Sequence, residues 1–319
     1  MLAVVALGAA CGAGQSLEPE DVDALPAVEV PMLRPVGATI PFSRRPRLNL
    51  DAVWWEAPRG ESLRRLADRW GTTAESLGAL NPVLVETERV EPGQRVLVYR
   101  YEPGTVSRSV GAPNRGRIDN AAPFPEGEGW VLRSFRPRSY ATRQTVTTLA
   151  VALAEWHERF PDANPVKLGE LSKRSGGRVR PHKSHRTGRD VDIGYVMLEP
   201  DEGHRFVAVT DDNLDARATW GLVSQLLASG SVESIFMANT VQEQLVPYAA
   251  ETLDEAEQRA VFSILEPDPR GKKKTAIKAV RGHDDHMHVR FECTEADVQC
   301  RAPAPRKRTH RKSKRRRRR

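Results

Sequence analysis

The sequence predicts an α+β fold, and three observations carry that expectation. Residues 191–195 and 286–291 alternate polar and apolar side chains with the period of strands. Residues 142–160, 222–227 and 253–265 have helical spacing, and they do not alternate strictly with strands, which argues against a repeated βαβ unit. A separate stretch, 51–100, carries its own strand–helix–helix–strand order. The expected architecture is a mixed or antiparallel sheet with flanking helices, preceded by a small β-α-α-β domain.

A chain of 319 residues fits two domains with tails. Residues 1–15 read as a leader. The run from Met1 to Cys11 is apolar with small residues before a cysteine, which suggests export and a lipid anchor on Cys11 rather than an ordinary cleaved signal. No basic residue precedes it, and Leu7 and Gly8 stand where a lipoprotein box would have other residues. After residue 11 no stretch is long enough to cross a membrane as a helix. Residues 16–48, rich in proline and acids without periodicity, read as a flexible tether.

The small domain is assigned to 49–101. Residues 52–55 predict a strand. Leu63, Leu66, Ala67 and Trp70 recur at helical spacing, and Gly71 ends that helix. Thr72 and Glu75 have capping-box spacing for a second helix, which should stop at Asn81-Pro82. Residues 95–99 form the closing strand, and 101–117 read as a connector. The large domain is assigned to 102–301. Its helix over 142–160 should turn Val146, Leu149, Ala150, Leu153 and Phe160 inward, with His157 a helix-end residue. Residues 235–237 predict a strand. Cys293 and Cys300 are close enough to form a disulfide in an exported protein.

The formal charge of +7 is misleading. Residues 306–319 hold eleven Lys and Arg and no acid, so subtracting them leaves −4 for the rest. The tail, 302–319, cannot bury a core and is expected to be disordered. Its natural partners would be acidic: anionic lipid, lipopolysaccharide or a wall polymer. Phosphate binding needs only charge, yet no base-reading motif is present and export argues against a specific nucleic-acid partner.

Five of the eight histidines fall in two short pieces. The first, P-H-K-S-H-R-T-G-R-D-V-D-I-G-Y, holds His182, His185, Asp190 and Asp192. Thr187-Gly188 reads as a turn into a strand on which Asp190 and Asp192 share one face and Val191 and Ile193 the other. The second, G-H-D-D-H-M-H-V-R, holds His283, His286 and His288, with Met287 and Val289 alternating inward. Two such strands side by side would gather imidazoles and carboxylates on one surface. Nitrogen and carboxylate donors suit zinc, and a catalytic zinc needs three protein ligands and an open position.

The spacing His185-x6-Asp192, followed by His286-x-His288, resembles the penicillin-insensitive murein endopeptidases, part of a wider zinc group that includes lysostaphin-type and D-Ala-D-Ala peptidases and the hedgehog domain. S-V-G-A-P-N-R-G at 109–116, G-E-L-S at 169–172 and E-S-I-F at 233–236 extend the likeness over roughly 106–292, with Glu170 standing where that family is expected to have Asp. The resemblance implies zinc held by His185, Asp192 and His288, with His286 as general base. It implies His283 as a helper at the oxyanion, and His182, with Asp190, as further metal or supporting residues. It makes the substrate peptidoglycan, cut between D-Ala and the side-chain amine of meso-diaminopimelate. G-E-S-L, N-P and P-G-Q in the small domain resemble a LysM module, which implies glycan binding, with Trp54 and Trp55 as candidates to stack on sugar and one of them expected in the core.

Two other functions fit the same residues. One is a D-Ala-D-Ala dipeptidase or carboxypeptidase on the same zinc. The other is a non-catalytic peptidoglycan-binding anchor, against which the presence of His286 argues.

Overall fold

The structure, a computed structural model, describes residues 48, 50–133, 136–201, 203, 205–266, 275–297, 299 and 300. The leader with Cys11, residues 16–47 of the expected tether and the basic tail lie outside these residues.

In the N-terminal unit, β1 (Ala52–Glu56) turns Val53 and Trp55 inward. A two-residue β2 (Glu61–Ser62) leads into α1 (Leu63–Arg69), whose first turn is capped by Ser62 Oγ accepting from Arg65 N at 3.3 Å. Gly71, at φ +58°, ends that helix as expected. The cap of α2 (Ala74–Leu80) is Thr73, not Thr72: its Oγ1 accepts from Ser76 N at 3.1 Å. α2 stops at Asn81-Pro82 as expected, and Pro82 also opens a further helix, α3 (Pro82–Thr87), since its missing N–H costs nothing in a first turn. β3 (Arg89–Val90) pairs with β2, and β4 (Arg95–Arg100) closes antiparallel on β1. Asn81 ties the helices to β4 by donating to Leu77 O and Leu97 O and accepting from Leu97 N. Trp55, 5% exposed, packs edge-on against Trp70 in the core of this unit, while Trp54 is 43% exposed. The candidacy of Trp55 as a sugar-stacking face therefore fails on burial.

The connector expected over 101–117 already contains structure: β5 (Arg108–Ala112) and β6 (Arg115–Asp119) form a hairpin. β7 (Ala122–Pro123), β8 (Trp130–Leu132) and β9 (Tyr140–Ala141) follow, with β7 and β9 paired. Then α4 (Arg143–Arg159), capped by Thr142, buries Val146, Leu149, Ala150 and Leu153, with Phe160 half-buried just past its end. β10 (Val166–Leu168) and β11 (Asp190–Gly194) precede α5 (Ala216–Ala228). β12 (Val232–Met237), α6 (Asn239–Ala249), α7 (Glu255–Val261), β13 (Ile277–Ala279), β14 (His286–Phe291) and β15 (Gln299–Cys300) complete the chain. The helix expected over 253–265 is the shorter α7, which starts at a capping box of Asp254 and Glu257 and ends at Phe262.

One mixed six-stranded sheet, ordered β13-β12-β14-β11-β10-β8, organises this domain. Its central strands, β11 and β14, are antiparallel, with Asp192 opposite His288 and Gly194 opposite His286. The residues between them, Val191, Ile193, Met287 and Val289, are fully buried in the main core with residues of α4, α5 and α6. Strand alternation thus sends one set of side chains to the core and the other to a shared face. Cys293 and Cys300 are joined by a disulfide.

Candidate metal centre

Cross-strand pairing puts Asp192 and His288 side by side; His185 arrives from the loop before β11. The backbone of His185 is left-handed, at φ +61°, an uncommon state for a residue with a side chain. It is held there on both sides: its N–H donates to Asp190 Oδ2 at 3.2 Å, and its carbonyl accepts from Ser172 Oγ at 2.7 Å. The result is a triangle of donors. His288 Nδ1 lies 2.9 Å from Asp192 Oδ1 and 3.1 Å from His185 Nε2, and His185 Nε2 lies 3.2 Å from Asp192 Oδ1.

The other ring nitrogens dictate which lone pairs face inward. His185 Nδ1 sits 2.8 Å from Leu171 O, a pure acceptor, so it carries the proton and leaves Nε2 bare. His288 Nε2 sits 2.9 Å from Asp190 Oδ1, so it too donates outward. Asp190 is anchored by Arg290 Nε at 2.8 Å. Two imidazole lone pairs and a carboxylate oxygen therefore converge on one point.

Residues 109–255 match the family model of the penicillin-insensitive murein endopeptidases. Two penicillin-insensitive murein endopeptidases of Klebsiella pneumoniae are each 25% identical to the chain over 219 residues, covering 63% of this chain and 72% of theirs. The family match takes in His182, His185, Asp190 and Asp192; the second histidine cluster lies beyond it. The chain is similar to this family over residues 109–255.

The matched family is one of metallopeptidases, and the donor set here fits a cation. Three acceptors facing one another at 2.9–3.2 Å repel unless a cation or proton sits among them. Ligands at zinc bond lengths of about 2.0–2.2 Å stand about 3.3 Å apart in a tetrahedron, close to what the triangle shows. Asp192 Oδ2 is buried and has no hydrogen-bond partner among the described residues. His182 Nδ1 lies 3.5 Å from it, and the donor atoms of His182, His185 and Asp192 are all within 4.8 Å of one another. The tighter trio of His185, Asp192 and His288 is the better cage, with His182 standing at the second carboxylate oxygen.

Electrostatics follow the same geometry. Burial opposes ionisation of Asp192, but the imidazoles of His185 and His288 outweigh it and hold its carboxyl well below the usual range. Asp190 is likewise held low against its burial by His288, Arg290 and His185. Burial alone would depress His288, yet hydrogen bonds to Asp190 and Asp192 push it up to about 9. Without metal, a proton on His288 fills the role of the cation. Burial, reinforced by His286 and His288, pushes His283 down, and burial also pushes His182 down despite Asp192. Both are neutral near pH 7.

His286 Nε2 faces the same carboxylate from 3.8 Å, outside the triangle. Its Nδ1 contacts Asp285 Oδ1 at 2.5 Å, and Phe206 stacks on its ring at 4.9 Å and 18°. His283 lies beside it, ring centroids 5.1 Å apart. Sequence reasoning missed Asp285 and Phe206. The acidic pair directly before His286 was a readable signal for the first; Phe206, far along the chain in a loop, gave none.

Proposed function

We propose that this chain is a zinc-dependent peptidoglycan endopeptidase that hydrolyses the amide between D-Ala and the side-chain amine of meso-diaminopimelate. The observation that supports it most is the convergence of His185 Nε2, His288 Nδ1 and Asp192 Oδ1, with His286 poised outside that triangle. Zinc, when bound, supplies acidified water and polarises a carbonyl oxygen. The residues do the rest. Asp285 accepts from His286 Nδ1, so Nε2 is bare and turned toward the site. His286 Nε2 takes a proton from the attacking water and returns it to the leaving nitrogen. His283, neutral and adjacent, donates to the carbonyl oxygen as it gains charge. No serine or cysteine nucleophile takes part, so β-lactams should not inhibit.

The expected setting is outside the cytoplasm, in a periplasm, with lipid on Cys11. The N-terminal unit would hold glycan through Trp54, and the basic tail would meet anionic lipid, lipopolysaccharide or wall polymer. Purified protein incubated with peptidoglycan sacculi, with and without chelator, tests the core of this reading when products are weighed by mass spectrometry. Chelator-sensitive conversion of crosslinked dimers to monomers is the expected result. Release of terminal D-Ala alone would favour the carboxypeptidase alternative, and no product at all would leave only the wall-binding anchor.

A further inference from the structure

An imidazole that moves protons must be held in one plane, and the torsion that turns it about Cβ–Cγ is soft. For His286 one restraint is the contact with Asp285, which fixes a single atom, Nδ1. The sheet offers nothing on one side of the ring. The cross-strand partner of His286 is Gly194, which has no side chain to pack there.

Phe206 fills that place from a distant loop. Its ring stacks on the imidazole with centroids 4.9 Å apart and planes 18° from parallel. The seat is shaped for a flat ring. A Cβ at Gly169 would come within 2.6 Å of Phe206 Cζ, and one at Gly194 within 3.0 Å of Cδ1. The Arg133 guanidinium lies over the same phenyl ring, 4.3 Å from its centroid, and is itself 4.0 Å from Glu170 Oε2. Lys167 Nζ fixes the chain just before Phe206 by donating to Asp201 Oδ2 at 2.5 Å, Gly203 O at 2.7 Å and Arg205 O at 3.3 Å.

We infer that Phe206 is the positioning residue of the general base: its face holds the His286 imidazole in the plane from which Nε2 meets the attacking water and then the leaving nitrogen. A hydrogen bond fixes one atom; a stacked face fixes a plane. Both are needed, because a misplacement on the order of 1 Å costs about 10²-fold in rate. Stacked pairs of this kind change a ring population by about two- to tenfold. This role rests on the endopeptidase reading above, and deepens it by naming what aims the base.

The test uses the full zinc-loaded chain and a soluble crosslinked peptide dimer. Phe206→Leu and Phe206→Met keep an apolar side chain but remove the face. Either should lower kcat about three- to tenfold, with KM within about twofold of wild type and with zinc content and melting temperature unchanged. Phe206→Tyr, which restores a flat ring, should stay within about twofold of wild type in kcat. A readout independent of turnover is the NMR shift of the His286 ring protons, assigned by their loss in His286→Ala. Phenyl ring current should shield them in wild type and in Phe206→Tyr, and they should move downfield in Phe206→Leu. Full kcat in Phe206→Leu or Phe206→Met overturns the inference. So does a raised KM at unchanged kcat, which would make Phe206 a substrate wall, and so does a Phe206→Tyr variant as slow as Phe206→Leu. Identical His286 shifts in wild type and Phe206→Leu overturn it as well. Wild type that cleaves no dimer, yet shows the shielded His286 protons, would instead remove the endopeptidase reading while the ring contact stands.

Discussion

Asp190 touches none of the three converging donor atoms, yet it sets the state of two of their owners. It accepts from His288 Nε2 and from the His185 backbone, with Arg290 holding it in place. In Asp190→Asn the acceptor is weakened and His288 is free to carry its proton on Nδ1, the atom that would face the proposed metal. Zinc affinity should fall about 10–100-fold, read by competition with a chelator. His286→Ala should behave in the opposite way: full zinc content, but hydrolysis down by about 10²–10⁴. Full activity in that variant would remove the base assignment. A pH prediction follows from His288. Its raised pKa, about 9, means the metal-free protein keeps a proton there at neutral pH, so zinc must displace it. Calorimetry in buffers of different ionisation enthalpy should therefore show about one proton released per zinc at pH 7. Affinity should weaken as pH falls below 9. The proton-bearing His288 also stabilises the metal-free fold, fully below about 6.5 and progressively less as pH rises through 9. Asp190 and Asp192, both depressed, act in the reverse sense: their contribution is present above the ordinary carboxylate range and is lost in acid.

At the level of elements, β15 is a two-residue strand that could hardly persist alone. It pairs in parallel with β5, and the disulfide from Cys300 to Cys293 ties it to the end of β14. Asp297 stiffens the same loop by accepting from Ser109 N and from Thr294 N and Oγ1. A bridge spanning seven positions removes about 2 kcal/mol of unfolded-state entropy, so Cys293→Ser/Cys300→Ser should lower Tm by about 5 °C. Zinc content should be unchanged, since the clip lies beyond the site strands. How far such elements could be read from sequence depended on whether local pattern or tertiary context decides them. β11 and β14 were legible because strict alternation fixes both faces, and with them which side chains share the site. α6 was not: Asn239–Ala249 has Pro247 inside it and no side-chain cap, and its helical state depends on burying Val241 and Leu245. α3 was not anticipated, because the Asn81-Pro82 pair that ends one helix also begins the next. The triangle itself needed the antiparallel register of β11 and β14 and the left-handed turn at His185, neither of which any short window of sequence contains.

On the scale of the whole molecule, the N-terminal unit is seated on the peptidase domain rather than left on a slack connector. Tyr140 Oη donates to Trp70 O at 2.5 Å, Pro137 lies against Gly71, and Arg143 reaches both Asp51 and the ring of Tyr101. Burial pushes the Tyr140 hydroxyl up to about 12, so it remains a donor at any physiological pH. A glycan grip fixed to the cutting domain would raise the local concentration of crosslinks without entering the chemistry. That separation of roles is testable on the two tryptophans of β1. Trp54 presents an exposed face with Arg95 beside it, whereas Trp55 fills the core of its unit. Trp54→Ala should reduce co-sedimentation with sacculi severalfold, while cleavage of soluble dimers stays within about twofold of wild type. Trp55→Ala should instead cost about 3–5 kcal/mol and unfold the unit. If Trp54→Ala binds sacculi as well as wild type, the exposed ring is not the sugar contact. If it slows soluble-dimer cleavage as much as sacculus cleavage, binding and catalysis are not separable in this protein.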